Sequence, residues 1–301
     1  MFSRLRIGTR GSQLALWQAN YIAASLGGEH EIIVIKTTGD NYPDATLDAT
    51  TGIGIFTKEI EYALLSNQID VAVHSFKDLP LIQPAGLKVA AIPPRGPVND
   101  IIVTRHDCLA ENQHWSLKQH AKIGTSSPRR RAQLYYKRLD LQLIDLRGNI
   151  TSRINRVFNG ELDAVVVAAA GINRLQLQND IVNNSGLIIS LPLNEFLPAP
   201  AQGALALEIR ADDTNTKTRL EKLHDPITAL AINSERALLA CLGGGCQLPL
   251  GAYCNFANAN LHLHAALANT ECTRCYHAKA SAATIKEVVE LVYDSLSHVN
   301  A

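Results

Sequence analysis

Three groups of residues in this chain could do chemistry. Cys246 follows three consecutive glycines in LGGGCQLPLG, Leu242 to Gly251. Glycine lets the backbone take positive φ and lets another molecule come close, so this loop either presents an accessible thiol or is a tight turn that ends in a small apolar cysteine. The second group is basic. Arg129 and Arg130 lie in GTSSPRRR, where Ser126 or Ser127 can cap a helix, Pro128 suits its first position, and the exposed N–H groups attract anions. Each guanidinium adds charge and a two-pronged fork for a carboxylate. The third is Asp78 in HSFKDLP, an acid among bases. It can form a structural ion pair, or it can bind a cationic or N–H group of a ligand and handle protons. His74 in the same segment reads as a satisfied histidine at a strand end.

These residues need elements to position them. Short β-branched runs alternate with helical periodicity: RLRIG, then SQLALWQANYIAASLGG with Ser12 as N-cap and Gly27 as stop, then EIIVIKT. After the polar, glycine-rich stretch from Gly39 to Gly54 come the helix FTKEIEYALLSN and the strands IDVAVHS and LKVAAIP. Beyond the connector IPPRGP a similar layout recurs in DIIVT, AKIGTSSPRRRAQLYYKR, LQLIDLRG, NITSRINRVFNG and LDAVVVAAAGINRL. A second connector, SLPLNEFLPAPAQG, leads into GALALEIR, which can return to either block. From about Asp212 the pattern becomes two helices, strands around GAYCNF and LHLHAALA, and the helix AATIKEVVELVYDSLSHV, a smaller α+β domain carrying Cys246.

In open parallel sheets ligands bind beyond the carboxyl ends of the strands, and here those positions are basic. The predicted strands are followed by Thr9, Arg10 and Ser12, by Lys77 and Asp78, by Ser126, Ser127, Arg129 and Arg130, by Arg147, and by Arg174. Arg147 also precedes a second helix start in RGNITSR, with Arg153 on its first turns. One such arginine would be an ordinary solvated cation. Recurrence at five strand ends implies a crevice for a ligand with several carboxylates or phosphates.

Composition narrows the classes. A length of 301 residues allows two or three domains. Twenty-eight Lys and Arg balance twenty-eight Asp and Glu, so global charge gives no attraction to nucleic acid or anionic membrane. The longest apolar run, AVVVAAAGI, falls far below the roughly 20 residues of a membrane span, and MFSRLRIGTR has no apolar leader, so the expected location is cytoplasmic. Six cysteines are too few for a disulfide scaffold, and Cys272 and Cys275 form a CxxC without a second pair, so no metal is expected. Neither a P-loop nor GxGxxG is present.

The segments TRGSQLALWQA, KTTGD, FTKEIEYALL, IDVAVHSFKDLP, GTSSPRRRAQL, LRGNITSR, AAAGINRL, LPAPAQGALALE and ERALLACLGGGCQLPLG run from near residue 5 to about residue 253. In that order they resemble the porphobilinogen deaminase, or hydroxymethylbilane synthase, family. The resemblance implies an α/β fold of two periplasmic-binding-protein-like domains with a cleft between them, plus a smaller C-terminal α+β domain. The divisions would be 1–92 with 193–212, 98–190, and 213–301. It implies a dipyrromethane cofactor held by a thioether to Cys246 and contacted by Ser75, Lys77, Thr125, Ser127, Arg129, Arg130 and Arg147. Asp78 would be the catalytic group, and Arg10, Ser12, Arg153, Arg174 and Gln202 would bind substrate. The implied reaction joins four porphobilinogen molecules with loss of ammonia and then hydrolyses the growing oligopyrrole free as hydroxymethylbilane, in a monomer. A non-catalytic two-lobed module that clamps a polycarboxylate, with Cys246 inert, is the competing reading, and an absent cofactor would favour it.

The chain departs from the family pattern between Gly39 and Phe56, where Ala49 and Ile53 stand in a loop that commonly bears lysines. Thr38 stands where many members have Arg, and Pro93 where a Cys is common. If that loop is a lid over an anionic chain, losing its lysines slows elongation. Restoring one with Ile53→Lys is then expected to raise turnover, and an unchanged rate rejects the idea.

Overall fold

The computed structural model describes residues 4–38, 57–245, 247–269, 271–272 and 274–297, so the lysine-poor loop and Cys246 lie outside the described residues. The chain opens with β1 (Leu5–Thr9), α1 (Gln13–Leu26), β2 (His30–Val34), α2 (Lys58–Leu65), β3 (Val71–Ser75) and β4 (Leu87–Ala91). It continues with β5 (Asp100–Arg105), β6 (Lys122–Gly124), α3 (Pro128–Lys137), β7 (Gln142–Ile144), α4 (Ile150–Phe158), β8 (Ala164–Ala168), α5 (Ala169–Leu175), α6 (Gln178–Asn183) and β9 (Gly186–Ser190). The last part holds β10 (Leu205–Arg210), α7 (Thr214–Leu220), α8 (Pro226–Cys241), β11 (Leu250–Ala257), β12 (Asn260–Ala268), β13 (Cys275–Ala282) and α9 (Ile285–Ser297).

Two compact units result, residues 1–96 with 203–232 and residues 97–202 with 233–301. The first holds a five-stranded sheet in the order β2-β1-β3-β10-β4, and the second a five-stranded sheet in the order β7-β6-β8-β5-β9. The sheets are mixed rather than wholly parallel. One strand in each runs against the others: β10 lies antiparallel to β3 and β4, and β5 antiparallel to β8 and β9. In the first unit the reversed strand is GALALEIR, which thus returns to the first block.

Alternation along the strands builds a core on both faces of each sheet. In the first unit Val71 and Val73 join Ile7, Leu205 and Leu207 beneath Ala19 and Ile22 of α1. Ala72 on the opposite face packs with Ile60, Ala63 and Leu64 of α2. In the second unit Val166, Ile102 and Ile123 meet Leu134 of α3 and Phe196, while Val165, Val167 and Ile101 meet Ile154 and Val157 of α4.

The second unit also contains the antiparallel sheet β11-β12-β13, covered by α9 through buried Val288, Val289, Val292 and Leu296. This sheet is seated against residues 197–198: Ala252 N donates to Pro198 O at 2.9 Å, and Leu197 packs with Ala266 and Cys275. Among the described residues no helix is long and apolar enough to cross a membrane.

Gly251 makes that seating close. A Cβ there would lie 2.8 Å from Leu197 Cβ and 2.9 Å from Leu197 O. Gly251→Ala is expected to destabilise the protein by about 1–3 kcal/mol through this overpacking. Urea unfolding checks it, as a lowered midpoint with an unchanged slope.

Candidate functional site

In the first unit the sequence-predicted residues cluster at the carboxyl ends of β1 and β3. Ser12 caps α1, its Oγ accepting from Ala15 N at 3.3 Å, and Gly27 ends that helix with φ 65°. Arg10 lies between β1 and this cap and is half-buried. Ser75 ends β3, and its Oγ accepts from Gln18 Nε2 of α1 at 2.8 Å. A short 3-10 turn over Phe76–Asp78 follows. Phe76 is buried, its N–H donates to Ala204 O at 3.0 Å, and Leu79 N returns to Phe76 O at 3.2 Å. The turn leaves Lys77 half-buried and Asp78 exposed. His74 is satisfied as expected, with Nε2 3.1 Å from Glu208 Oε2.

The second unit gathers its predicted residues differently. Pro128 is the first residue of α3, but Ser127 at the cap position makes no side-chain cap bond. Its backbone N–H donates to buried Thr125 Oγ1 at 3.3 Å, and Ser126 turns away to accept from Leu146 N at 2.7 Å. Arg147 is exposed before α4. Asn149 caps that helix, and Arg153 Nε donates to Gly148 O at 2.8 Å. Arg174 is half-buried on α5.

Arg129 and Arg130 are not surface cations. They are 4% and 7% exposed, and both are paired with Asp100, which is 0% exposed. Arg129 Nη1 donates to Asp100 Oδ2 at 2.7 Å and to Leu197 O at 2.7 Å. Arg130 Nη2 donates to Asp100 Oδ1 at 2.7 Å, and its Nη1 to Val166 O at 2.8 Å. Gln202, also fully buried, donates from Nε2 to Asp100 Oδ1 at 3.1 Å and to Val98 O at 2.8 Å. Burial alone would raise the Asp100 carboxyl; the charges and hydrogen bonds of Arg129 and Arg130 outweigh it and hold it well below the ordinary carboxylate range. Burial pushes the Arg129 pKa down against the pull of Asp100.

Two guanidinium groups on one carboxylate leave a buried net positive charge, and Nε of each arginine is buried without a hydrogen-bond partner among the described residues. A buried charge is costly unless paired, so this group suits an anion that brings carboxylate oxygens. Sequence reasoning missed Asp100 because it reads as the first residue of the strand DIIVT. Its partners lie 29, 30 and 102 residues away, with no local signature.

The glycines before Cys246 have separable roles. Gly243 N donates to Ala240 O at 3.0 Å and Gly244 N to Leu239 O at 3.1 Å, a helix stop that uses φ 65° at Gly243. A Cβ on Gly244 would meet Leu248 at 2.5 Å, whereas one on Gly245 would meet nothing within 4 Å. Buried Glu235 of α8 fixes the loop's surroundings: its carboxylate accepts from Ala201 N at 2.7 Å and from Cys254 N of β11 at 2.8 Å.

Residues 5–229 match the family described as porphobilinogen deaminase, dipyromethane cofactor binding domain, and residues 229–296 match porphobilinogen deaminase, C-terminal domain. The chain is 40% identical over 279 residues to the porphobilinogen deaminase of Syntrophobacter fumaroxidans, covering 91% of this chain and 87% of that one. It is 43% identical over 277 residues to that of Geobacter sulfurreducens, covering 90% and 84%. The periplasmic VFT2 domain of BvgS from Bordetella pertussis aligns at a TM-score of 0.43 and 15% identity over 73% of this chain and 86% of that one.

Asp100→Asn leaves two buried arginines without their counter-charge and is expected to cost about 3–5 kcal/mol. Because the folded-state pKa of Asp100 is depressed, its contribution is complete above the unfolded carboxyl range near about 4. It is lost as pH falls through the folded value. Denaturation from pH 8 downward should therefore show a constant deficit in the variant that narrows only in strong acid; a deficit that disappears by neutral pH contradicts the assignment.

Proposed function

The chain belongs to the porphobilinogen deaminase family, and we propose on that premise how its own residues divide the enzyme's work. The reaction is the stepwise head-to-tail condensation of four porphobilinogen molecules with loss of ammonia, followed by hydrolytic release of hydroxymethylbilane, a step of tetrapyrrole and heme biosynthesis. The observation that carries the residue assignments is the pair Arg129 and Arg130 on Asp100, a buried cationic group with orphaned donors. It fits a cofactor rich in carboxylates. The dipyrromethane cofactor of this family supplies, when bound, the pyrrole terminus that is extended.

Cys246 holds that group through a thioether, since a thiolate is the most nucleophilic side chain available to capture an electrophilic pyrrole. Three other cysteines are poorly suited. Burial pushes the Cys108 and Cys275 thiols up to about 11, and burial also raises Cys272. Arg129 and Arg130 bind cofactor carboxylates, with Ser75, Lys77, Thr125, Ser127 and Arg147 completing the set. Arg10, Ser12, Arg153, Arg174 and Gln202 hold porphobilinogen, the arginines taking its acetate and propionate groups.

Asp78 does the acid-base work. Departure of ammonia from the aminomethyl group leaves a cationic azafulvene, which a carboxylate at this exposed turn stabilises while accepting a bond from pyrrole N–H. The same carboxylate would take up the proton released when the new carbon–carbon bond forms. The enzyme acts as a cytoplasmic monomer on porphobilinogen and oligopyrrole, without nucleic acid or membrane. Its three sheets are the cores of domains 1–92 with 193–212, 98–190, and 213–301.

Intact mass of the purified protein beside Cys246→Ser tests the anchor. The parent should exceed its chain mass by two linked pyrrole rings, and the variant should not. A parent at bare chain mass even after incubation with porphobilinogen rejects Cys246 as the attachment point.

A further inference from the structure

The first unit buries a second polar group that the proposed mechanism does not use. His74 on β3 and Glu208 on β10 are 6% and 0% exposed, with Nε2 and Oε2 3.1 Å apart. Glu208 stands opposite Ala72 and Ala206 opposite His74, so the pair meets diagonally on one face of the sheet. That face is packed by α2, whose Glu61 is 6% exposed. Burial raises the Glu61 carboxyl against an opposing hydrogen bond from Thr57; Glu208 raises it further, and His74 and Lys58 pull it down. One oxygen of Glu208 and one of Glu61 have no hydrogen-bond partner among the described residues.

Two acids and a histidine in an apolar layer are a poor way to gain stability. Their place in the chain suggests a different use. Successive strand residues point to opposite faces. His74 is therefore gripped from the α2 side by Glu208, while Ser75, the next residue, is gripped from the α1 side by Gln18. The strand end is pinned on both faces immediately before the turn that carries Lys77 and Asp78.

We propose that His74 and Glu208 are positioning residues for the reaction, their buried bond fixing the end of β3 so that Lys77 and Asp78 sit at the working distance. The proposal rests on the reading of Asp78 as the acid-base group. It requires that slackening the clamp slow each turnover in molecules that still carry the cofactor, whereas a purely structural pair would lower only the folded or loaded fraction.

The test compares the parent with Glu208→Ala, Glu208→Gln and Asp78→Asn. Intact mass gives the cofactor-loaded fraction, steady-state kinetics give kcat and KM per loaded molecule, and deuterium exchange follows the amides of 71–79. Glu208→Ala should lose about tenfold to a hundredfold in kcat with KM within about twofold, and should exchange faster at 76–79. Glu208→Gln keeps an acceptor for His74 and should recover most of the rate. A Glu208→Ala protein with parental kcat per loaded molecule overturns the proposal, even if it melts earlier. If Glu208→Ala does not fold, the apolar double variant His74→Phe with Glu208→Leu decides by the same criterion. Parental turnover in Asp78→Asn overturns the assignment of Asp78 and the proposal with it; a slow Asp78→Asn beside a full-rate Glu208→Ala rejects the positioning role alone.

Discussion

Asp100 answers two arginines with one carboxylate, and the second unit is organised around that imbalance. The carboxylate is wholly buried, so it stays ionised only because Arg129 and Arg130 both donate to it. The arginines in turn tie α3 to β8 and to residue 197 through backbone carbonyls. Gln202 joins the same carboxylate from the far end of the connector. One ion group therefore joins a helix start, a strand and a connector, with two cationic side chains on one carboxylate.

The first unit holds its own buried polar group, His74 with Glu208, beside a short turn. The turn after β3 is a single 3-10 turn over Phe76–Asp78. The strand before it supplies the rigidity. Side chains on alternate faces let α1 fasten Ser75 while β10 fastens His74, and the buried Phe76 seals the start of the turn. Exposed Asp78 thus stands just beyond a chain segment fastened from both faces of its sheet.

Much of this was legible one segment at a time. Ser12 and Gly27 mark the ends of α1, and Pro128 marks the start of α3, because caps and a fixed φ act over a single turn. The legibility fails where tertiary contacts overrule local preference. Ser126 and Ser127 both look like caps, yet Ser126 bonds Leu146 and neither caps α3. The strand β13, CYHAKASA, has no β-branched run and forms because β12 offers it a paired edge. A lone acid at the head of DIIVT gives no sign that it will meet Arg129, Arg130 and Gln202.

The sequence by itself determined the alternation of strands and helices, the helix ends, the cysteine behind three glycines and the ordered set of motifs that marks the family. All of these depend on neighbours a few residues apart. Only the tertiary structure decided which charges are buried, which of them share a counter-ion, and that β5 and β10 run against their sheets. The physical reason is that desolvation and pairing are set by groups brought together from distant parts of the chain, and the energy of a charge depends on that company far more than on its own identity.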